Sequence, residues 1–131
     1  MNNISILRSL KKSAFLSTLS VSESVNGKYE LSDGLSYYDH VHNETIYVGK
    51  GFLTDFATIP PILKPIIDND AYIIRAPAVI HDFIYSTMMY SRKECDQLLF
   101  RAMILRGSPY IKAYMVYQSV RIFGKPHYGV M

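Results

Sequence analysis

The stretch LSVSESVNGKYEL, residues 19–31, decides the fold. Its first half alternates apolar residues with Ser and Glu, which places the two kinds of side chain on opposite faces of a strand. Asn26-Gly27 supplies the two positive φ angles of a type I′ turn. The sequence therefore predicts a β-hairpin in which residues 28–31 return antiparallel to the first strand.

Further short strands are predicted on the C-terminal side of this hairpin. A turn at Asp33-Gly34 leads into residues 35–39, and a turn at residues 42–44 precedes the strand at 45–48. The result is an antiparallel meander of about four strands over residues 19–48. Residues 49–65 contain two glycines and three prolines, so the strands are predicted to end there.

Three helices are predicted after this connection. Because Pro77 fits the first turn of a helix better than its interior, the first helix is predicted to begin near Ala76. A capping box at residues 91–94 opens the second helix, which ends at Gly107, and the third ends near residue 123. We therefore predict an α+β fold, a small antiparallel β meander packed on a layer of about three helices.

Length and composition limit the class of protein. The chain has 131 residues, 49% hydrophobic and 19% charged, which fits one domain with a core. The single cysteine, Cys95, excludes an internal disulfide framework and a Cys-based zinc finger. Residues 8–16 imitate a secretory signal, but the apolar run stops at Ser17, and no window is long enough to span a membrane. We expect a soluble, unexported protein without membrane insertion.

The charges are distributed unevenly along the chain. The 14 basic and 11 acidic residues give a net charge of +3, but Asp96 is the last acidic residue. A basic C-terminal segment can bind a polyanion or an acidic partner, or it can be a solvated face. Because no nucleic-acid docking motif is present, a protein partner or self-association is favoured over nucleic acid.

His81 and Asp82 are two adjacent polar residues in an apolar helix. A histidine and a carboxylate can bind a divalent metal ion or form a base with its orienting partner. Tyr85 shares the face of His81, whereas Asp82 points about 100° away. The alternative is a buried pair that is hydrogen-bonded for structural reasons alone.

Asp55 and Asp96 are further candidates. Asp55 lies in the connection between strands and helices, where it either contributes to a site or organises the turn before Pro60. Asp96 either pairs with Arg92 on a helix surface or faces the His81 helix as a ligand or orienter. His40 and His42 flank one residue and would face the same side of a strand, although an exposed strand end is the simpler interpretation.

The last predicted helix carries a row of tyrosines. Tyr110, Tyr114, Tyr117 and Arg121 share one face, while Ile111, Met115 and Ile122 form a neighbouring stripe. An outward Tyr-Arg face has the composition of a protein interface. The alternative is that the tyrosines form the core face of the helix.

Several of these residues together resemble a known family. The matching blocks are Gly51-Phe52, TDFATIP at 54–60, AVIHDFIY at 78–85, Arg92, Asp96, Met103, YQSVR at 117–121 and Phe123-Gly124. This pattern resembles a family of small phage and prophage proteins, domain of unknown function 1353, with TDFA[ST]IP and HDxxY motifs. Thr58 stands where the family usually has Ser. The resemblance implies a phage origin but no activity. It also implies a fixed set of polar positions, which are Asp55, His81, Asp82, Tyr85, Arg92 and Asp96.

We interpret residues 1–131 as a single domain, with a lead-in segment and first strand at 1–27, a family-like core at 28–124 and a tail at 125–131. Two functions follow as hypotheses for this domain. The first is a non-catalytic, virion-associated or host-interacting protein with a buried His-Asp-Tyr-Arg cluster, located in the virion or the cytoplasm of the infected bacterium. The alternative is a metal-dependent hydrolase in which Asp55, His81, Asp82 and Asp96 hold a divalent ion, with Tyr85 also in a catalytic role.

Overall fold

The structure is a computed structural model that describes residues 3–24, 26–54, 60–65 and 71–130. The chain divides into two compact units, Met1–Asp55 and Phe56–Met131. In the first unit the described residues form one helix and six short strands, in chain order α1 (Asn3–Leu10), β1 (Ala14–Phe15), β2 (Val21–Glu23), β3 (Tyr29–Leu31), β4 (Leu35–Asp39), β5 (Glu44–Val48) and β6 (Leu53–Thr54). The second contains α2 (Ala71–Thr87), α3 (Arg92–Leu105) and α4 (Tyr110–Phe123).

The strands form two antiparallel sheets of three strands each. One has the order β1-β4-β5, with Leu35 opposite Val48 and Asp39 opposite Glu44. The other has the order β2-β3-β6. The α+β class is confirmed, but the single continuous meander is wrong, because β3 and β4 belong to different sheets.

The hairpin predicted from residues 19–31 is confirmed. Val21 lies opposite Leu31 and Glu23 opposite Tyr29. Ser24 N donates to Lys28 O at 2.8 Å, so three residues separate the closing pair instead of the two of a type I′ turn. Gly27, at φ +73°, supplies the left-handed residue that such a loop needs.

Three other differences from the sequence prediction concern short elements. Strands do not end at residue 48, because β6 pairs with β3, with Thr54 opposite Tyr29. Helix α1 and strand β1 were not predicted, since both are too short for a clear periodic pattern. His40 and His42 lie in the turn after β4, where they do not share a strand face.

Helix α2 begins at Ala71, five residues before the predicted start, and it contains Pro77 in its interior. An interior proline removes one backbone hydrogen bond and costs about 3 kcal/mol. Residues around Pro77 are almost completely buried, including Ile74, Val79 and Ile80 at 0% exposure, and this burial offsets that cost.

Helix α3 contacts both α2 and α4 in the second unit. The predicted capping box is confirmed, since Ser91 Oγ accepts from Glu94 N at 3.2 Å and donates to Glu94 Oε1 at 2.8 Å. The helix ends before Gly107, whose φ is +98°. Within the described parts of the chain no helix is both long enough and apolar enough to cross a membrane.

Candidate functional site

Helix α2 places His81 and Tyr85 one turn apart on one face. Their ring centroids are 4.2 Å apart at an interplanar angle of 38°. Both residues are 0% exposed. The predicted shared face is therefore confirmed, and it is directed into the interior of the helical unit.

Asp96 of α3 meets this face and links it to α4. Its Oδ1 lies 2.7 Å from His81 Nε2, and its Oδ2 accepts from Arg121 Nη1 at 2.8 Å. Since an ionised carboxylate can only accept hydrogen bonds, His81 must carry a proton on Nε2 and donate it. Of the two interpretations of Asp96, the one in which it faces the His81 helix is the one observed.

Asp96 stays ionised although it is fully buried. Burial by itself would raise the pKa of its carboxyl group. Hydrogen bonds from His81, Arg121 and Tyr85, together with the electrostatic effect of His81, outweigh burial and lower the pKa of Asp96 below its ordinary value. The folded structure therefore stabilises the charged form of this residue.

Tyr85 contributes its hydroxyl group to the same cluster. The hydroxyl accepts from Arg92 Nη1 at 3.2 Å and is hydrogen-bonded to the Asp96 carboxylate. Burial first, and the hydrogen bond to Asp96 second, raise the pKa of Tyr85 well above its ordinary value of 10.0. The phenol is therefore held neutral, as a hydrogen-bond donor rather than a base.

Arg92 joins the cluster to the end of α4. Its Nη1 donates to Val120 O and its Nη2 to Arg121 O, both at 3.0 Å. These carbonyls lie in the last turn of the helix, where Val120 O also accepts from Gly124 N at 2.8 Å, so Arg92 supplies a second donor to Val120 O and one to Arg121 O. Arg92 Nη1 is 3.7 Å from Asp96 Oδ2, so the predicted i, i+4 pair exists, but with one buried partner instead of on an exposed surface.

The backbone at the end of α4 passes close to the cluster. A Cβ atom on Gly124 would clash with the backbone oxygen of Val120 and would lie 2.8 Å from the Tyr85 hydroxyl oxygen, so no larger residue fits without displacement. Tyr128 packs edge-on against the Tyr85 ring, at 5.3 Å between centroids, and donates to Tyr90 O at 2.7 Å. The C-terminal segment thus covers the Tyr85 side of the cluster.

The remaining candidates are placed differently. Asp82 is half-buried on α2, and Asp55 lies outside the described residues, so its role in the site stays a prediction. Among residues 3–24, 26–54, 60–65 and 71–130, no group of three or more His, Cys, Asp or Glu side chains is arranged to hold a metal ion.

His40 and His42 make local contacts in the first unit. His42 Nδ1 is hydrogen-bonded to the buried Asp39 carboxylate, and His40 Nδ1 lies 2.9 Å from Ser13 Oγ. Ser13 Oγ also accepts from His40 N at 3.0 Å. These contacts fix the turn between β4 and β5 against the segment before β1.

An open groove of about 400 Å³ lies on the surface of the helical unit. Its lining comes from α3 and α4 and consists of Gln97, Phe100, Arg101, Tyr110, Tyr114 and Tyr117. Tyr110 is 67% exposed and Tyr114 43% exposed, whereas Tyr117 is half-buried. The tyrosine row is therefore partly exposed, as expected of a protein interface, and partly buried, as expected of a core face. Arg121, which was grouped with the row, turns instead to Asp96.

Sequence reasoning missed the role of Arg121 and the contribution of α3 to the groove. Arg121 reads as an ordinary cation in the last turn of a helix. Its position about one turn after Tyr117, on the same helix face, gave no sign of a buried partner. Phe100 was not singled out, because its contact with Tyr110, at 5.3 Å between ring centroids, depends on how α3 and α4 pack.

Comparison with known proteins places this chain in a family. Residues 29–120 match the family described as Protein of unknown function (DUF1353), and the chain belongs to that family. An 81-residue stretch is 36% identical to the "Uncharacterized protein y4iH" of Sinorhizobium fredii (strain NBRC 101917 / NGR234), covering 60% of this chain. The match spans 33% of that relative, so this chain corresponds to about a third of its length. No solved structure matches.

Proposed function

We propose that this chain is a non-catalytic phage or prophage protein that acts by binding another protein, in the virion or in the cytoplasm of the infected bacterium. One observation carries the non-catalytic part. His81 and Asp96 are 0% exposed, His81 Nε2 donates to Asp96, and the two carboxylate oxygens of Asp96 accept from His81 and Arg121. A general base or metal ligand needs those atoms to face a substrate or an ion.

The cluster has a structural use in this proposal. It takes residues from each of the three long helices: His81 and Tyr85 from α2, Arg92 and Asp96 from α3, and Arg121 from α4. A buried polar network whose members are satisfied specifies one arrangement of the elements that it joins. It fixes α3 against α4, and these two helices form the groove that we propose to be the binding surface.

The alternative is a metal-dependent hydrolase that uses Asp55, His81, Asp82 and Asp96. A divalent ion could acidify a bound water there. For this to happen, the ion would have to bind His81 through Nδ1, because Nε2 donates to Asp96 at 2.7 Å. The His81 ring is 0% exposed, and both oxygens of Asp96 already accept hydrogen bonds, so binding of an ion by these two residues is opposed.

Thermal unfolding in the presence of metal ions separates the two functions. The wild-type protein, His81→Ala and the control His127→Ala are each melted in EDTA and in Mn²⁺, Zn²⁺ or Mg²⁺. We expect His81→Ala to lose about 1 to 3 kcal/mol, because Asp96 loses a buried donor. His127 lies in the C-terminal segment outside the cluster, so its replacement should change stability by less than about 0.5 kcal/mol.

Metal ions should leave the melting temperature of all three proteins unchanged. A metal-dependent rise in the wild type and in His127→Ala that is absent from His81→Ala would overturn the proposal and favour the hydrolase.

A further inference from the structure

Strand β5 lies at an edge of its sheet. Among the residues that the structure describes, it pairs only with β4. The other edge strands of the two sheets, β1, β2 and β6, have two or three residues, whereas β5 has five, all paired with β4 without a bulge. Proteins protect edge strands by short length, bulges and prolines, and β5 has none of these. Its outer edge can therefore accept a further strand.

The peptide groups of two β5 residues point towards this outer edge. In β4, Ser36 O accepts from the backbone N–H of the residue after β1, at 2.8 Å, so Ser36 faces β1. Because successive residues of a strand turn their peptide groups to opposite sides, the residues next to Ser36 face β5. Their partners there are Ile46 and Val48, which are 1% and 0% exposed. This leaves the peptide groups of Thr45 and Tyr47 directed outwards.

The sequence of β5 is complementary to itself in an antiparallel arrangement. With Ile46 on a two-fold axis, all five residues of one copy pair with those of the other. The outward peptide groups of Thr45 then face those of Tyr47 and can exchange hydrogen bonds with them. Both side chains are exposed, and a β-branched residue opposite an aromatic one is a pair that stabilises sheets.

The charges at the ends of β5 favour a second copy in this orientation. Glu44 begins the strand, and Lys50 lies two residues after its end; both are exposed. In the antiparallel pair, Glu44 of each copy lies opposite Val48 of the other and next to the turn that carries Lys50. Opposite charges therefore meet at both ends of the pairing, whereas a parallel pair would place Glu44 beside Glu44.

We infer that β5 binds β5 of a second copy of this chain, so that two three-stranded sheets become one sheet of six strands about a two-fold axis. The contact lies in the first unit and does not depend on the groove between α3 and α4. It involves one strand from each copy, which is less than the roughly 1,200 to 2,000 Å² of a stable complex. We therefore expect a dimer that dissociates on dilution.

Sedimentation velocity of the full chain over about 5 to 500 µM tests the inference, with a shift from monomer to dimer as the expected result. Amide exchange followed by nuclear magnetic resonance locates the contact. The amide protons of Thr45 and Tyr47 should exchange rapidly in the monomer and slowly in the dimer. Those of Ile46 and Val48, which face β4, should be protected at both concentrations.

A charge exchange tests the orientation of the two strands. Glu44→Lys should weaken the dimer by about tenfold, because the two-fold axis repeats the repulsion with Lys50. Adding Lys50→Glu to the same chain should restore the affinity to within about threefold. Glu23→Lys is the matched control, since Glu23 is exposed on the edge strand β2 of the other sheet and should have no effect.

A proline tests the role of the outer peptide groups. Thr45→Pro removes an outward N–H and should weaken the dimer by about tenfold or more, because one hydrogen bond is lost in each copy. Glu23→Pro is the matched control on β2. Melting curves identify any variant that fails to fold, and in that case the charge exchange, which keeps the strand intact, decides the question.

Several results would overturn the inference. They are a monomer at every concentration, association beyond a dimer, or a dimer that Glu44→Lys and Thr45→Pro leave unchanged. Unaltered exchange of the Thr45 and Tyr47 amides in the dimer would also exclude β5 as the contact. Loss of the dimer in Tyr110→Ala, with Glu44→Lys unaffected, would place self-association in the groove of the helical unit instead.

Discussion

Replacing Asp96 by Asn keeps the shape of the buried side chain and removes its charge. In the wild type both carboxylate oxygens accept, one from His81 Nε2 at 2.7 Å and one from Arg121 Nη1 at 2.8 Å. An Asn amide offers one acceptor and one donor group. With its NH₂ group towards Arg121 the amide faces another donor, and with its NH₂ group towards His81 the hydrogen bond survives only if the imidazole moves its proton from Nε2 to Nδ1. In either orientation the charge that strengthens both hydrogen bonds is lost.

The expected loss of stability follows from these contacts. A hydrogen bond to a charged group contributes about 1.5 to 3 kcal/mol, and breaking a buried ion pair costs about 3 to 5 kcal/mol. The Arg121 side chain is 28% exposed and can recover some hydration, which places the expected loss near the lower end of that range. We predict that Asp96→Asn lowers the free energy of unfolding by about 3 kcal/mol, or the melting temperature by roughly 10 °C.

Urea unfolding followed by circular dichroism at neutral pH measures this loss. Asp33→Asn is the matched control, since Asp33 is exposed in the segment between β3 and β4. It should change stability by less than about 0.5 kcal/mol. If Asp96→Asn unfolded at the same urea concentration as the wild type, the carboxylate would not stabilise the helical unit and the reasoning would be refuted.

The difference in stability between the wild type and Asp96→Asn should depend on pH. The pKa of Asp96 is lowered in the folded state, so its stabilising contribution is present above the ordinary pKa of 3.8 and is lost as the pH falls below it. The difference in stability between the wild type and Asp96→Asn should therefore be full at neutral pH and shrink in strong acid. A difference that grew on acidification would contradict this sign.

Three further predictions concern the surroundings of the cluster. Arg92→Lys should lower the free energy of unfolding by about 1 to 2 kcal/mol in urea, because one ammonium nitrogen cannot occupy both positions from which Nη1 and Nη2 donate to Val120 O and Arg121 O. Gly124→Ala should lose about 1 to 3 kcal/mol in the same assay, since its Cβ would clash with the backbone oxygen of Val120 and would also crowd the Tyr85 hydroxyl. Burial raises the pKa of the Cys95 thiol to about 12, so it should react slowly with a disulfide reagent at pH 8 in the native protein and rapidly in denaturant. Because that pKa is raised from 9.0, the contribution of the buried thiol to stability should be present below pH 9 and fall as the pH rises towards 12.

Matched controls accompany two of these predictions. Lys93→Arg changes an exposed cation next to Arg92 and should leave stability within about 0.5 kcal/mol of the wild type. Gly49→Ala places its Cβ 4.0 Å from the nearest atom, so it should also be tolerated. Equal losses in a variant and its control would show that the cluster geometry is not the cause, and a Cys95 that reacts equally fast in both states would show that the thiol is not protected.

The sequence predicts those parts of the fold that depend on local signals. The hairpin at residues 19–31 and the capping box at Ser91 are encoded in adjacent residues, and both are present. The predicted start of α2 is wrong, because burial of residues around Pro77 overrides the preference of proline for the first turn of a helix. The division of the strands into two sheets was also missed, since strand pairing depends on contacts distant in sequence, such as Tyr29 with Thr54.

In the candidate site, too, features that depend on local spacing were predicted, whereas contacts between residues distant in sequence were not. The HDxxY spacing predicts that His81 and Tyr85 share a helix face, and the alternative of Asp96 facing that helix was correctly considered. Arg121 was not recognised as its partner, because the contact joins two helices whose relative rotation no local pattern determines. The exposure of Tyr110 and the half-burial of Tyr117 depend on the same packing.

The most direct test of the central claim is observation of the imidazole proton of His81 by nuclear magnetic resonance. We predict a low-field N–H signal that exchanges slowly with water, because the Nε2 proton is buried in a hydrogen bond to Asp96. The signal should be absent from His81→Ala, and it should keep its position and intensity when Zn²⁺ or Mg²⁺ is added. Absence of the signal in the wild type, or its disappearance on binding of a metal ion, would contradict the claim that this cluster is structural.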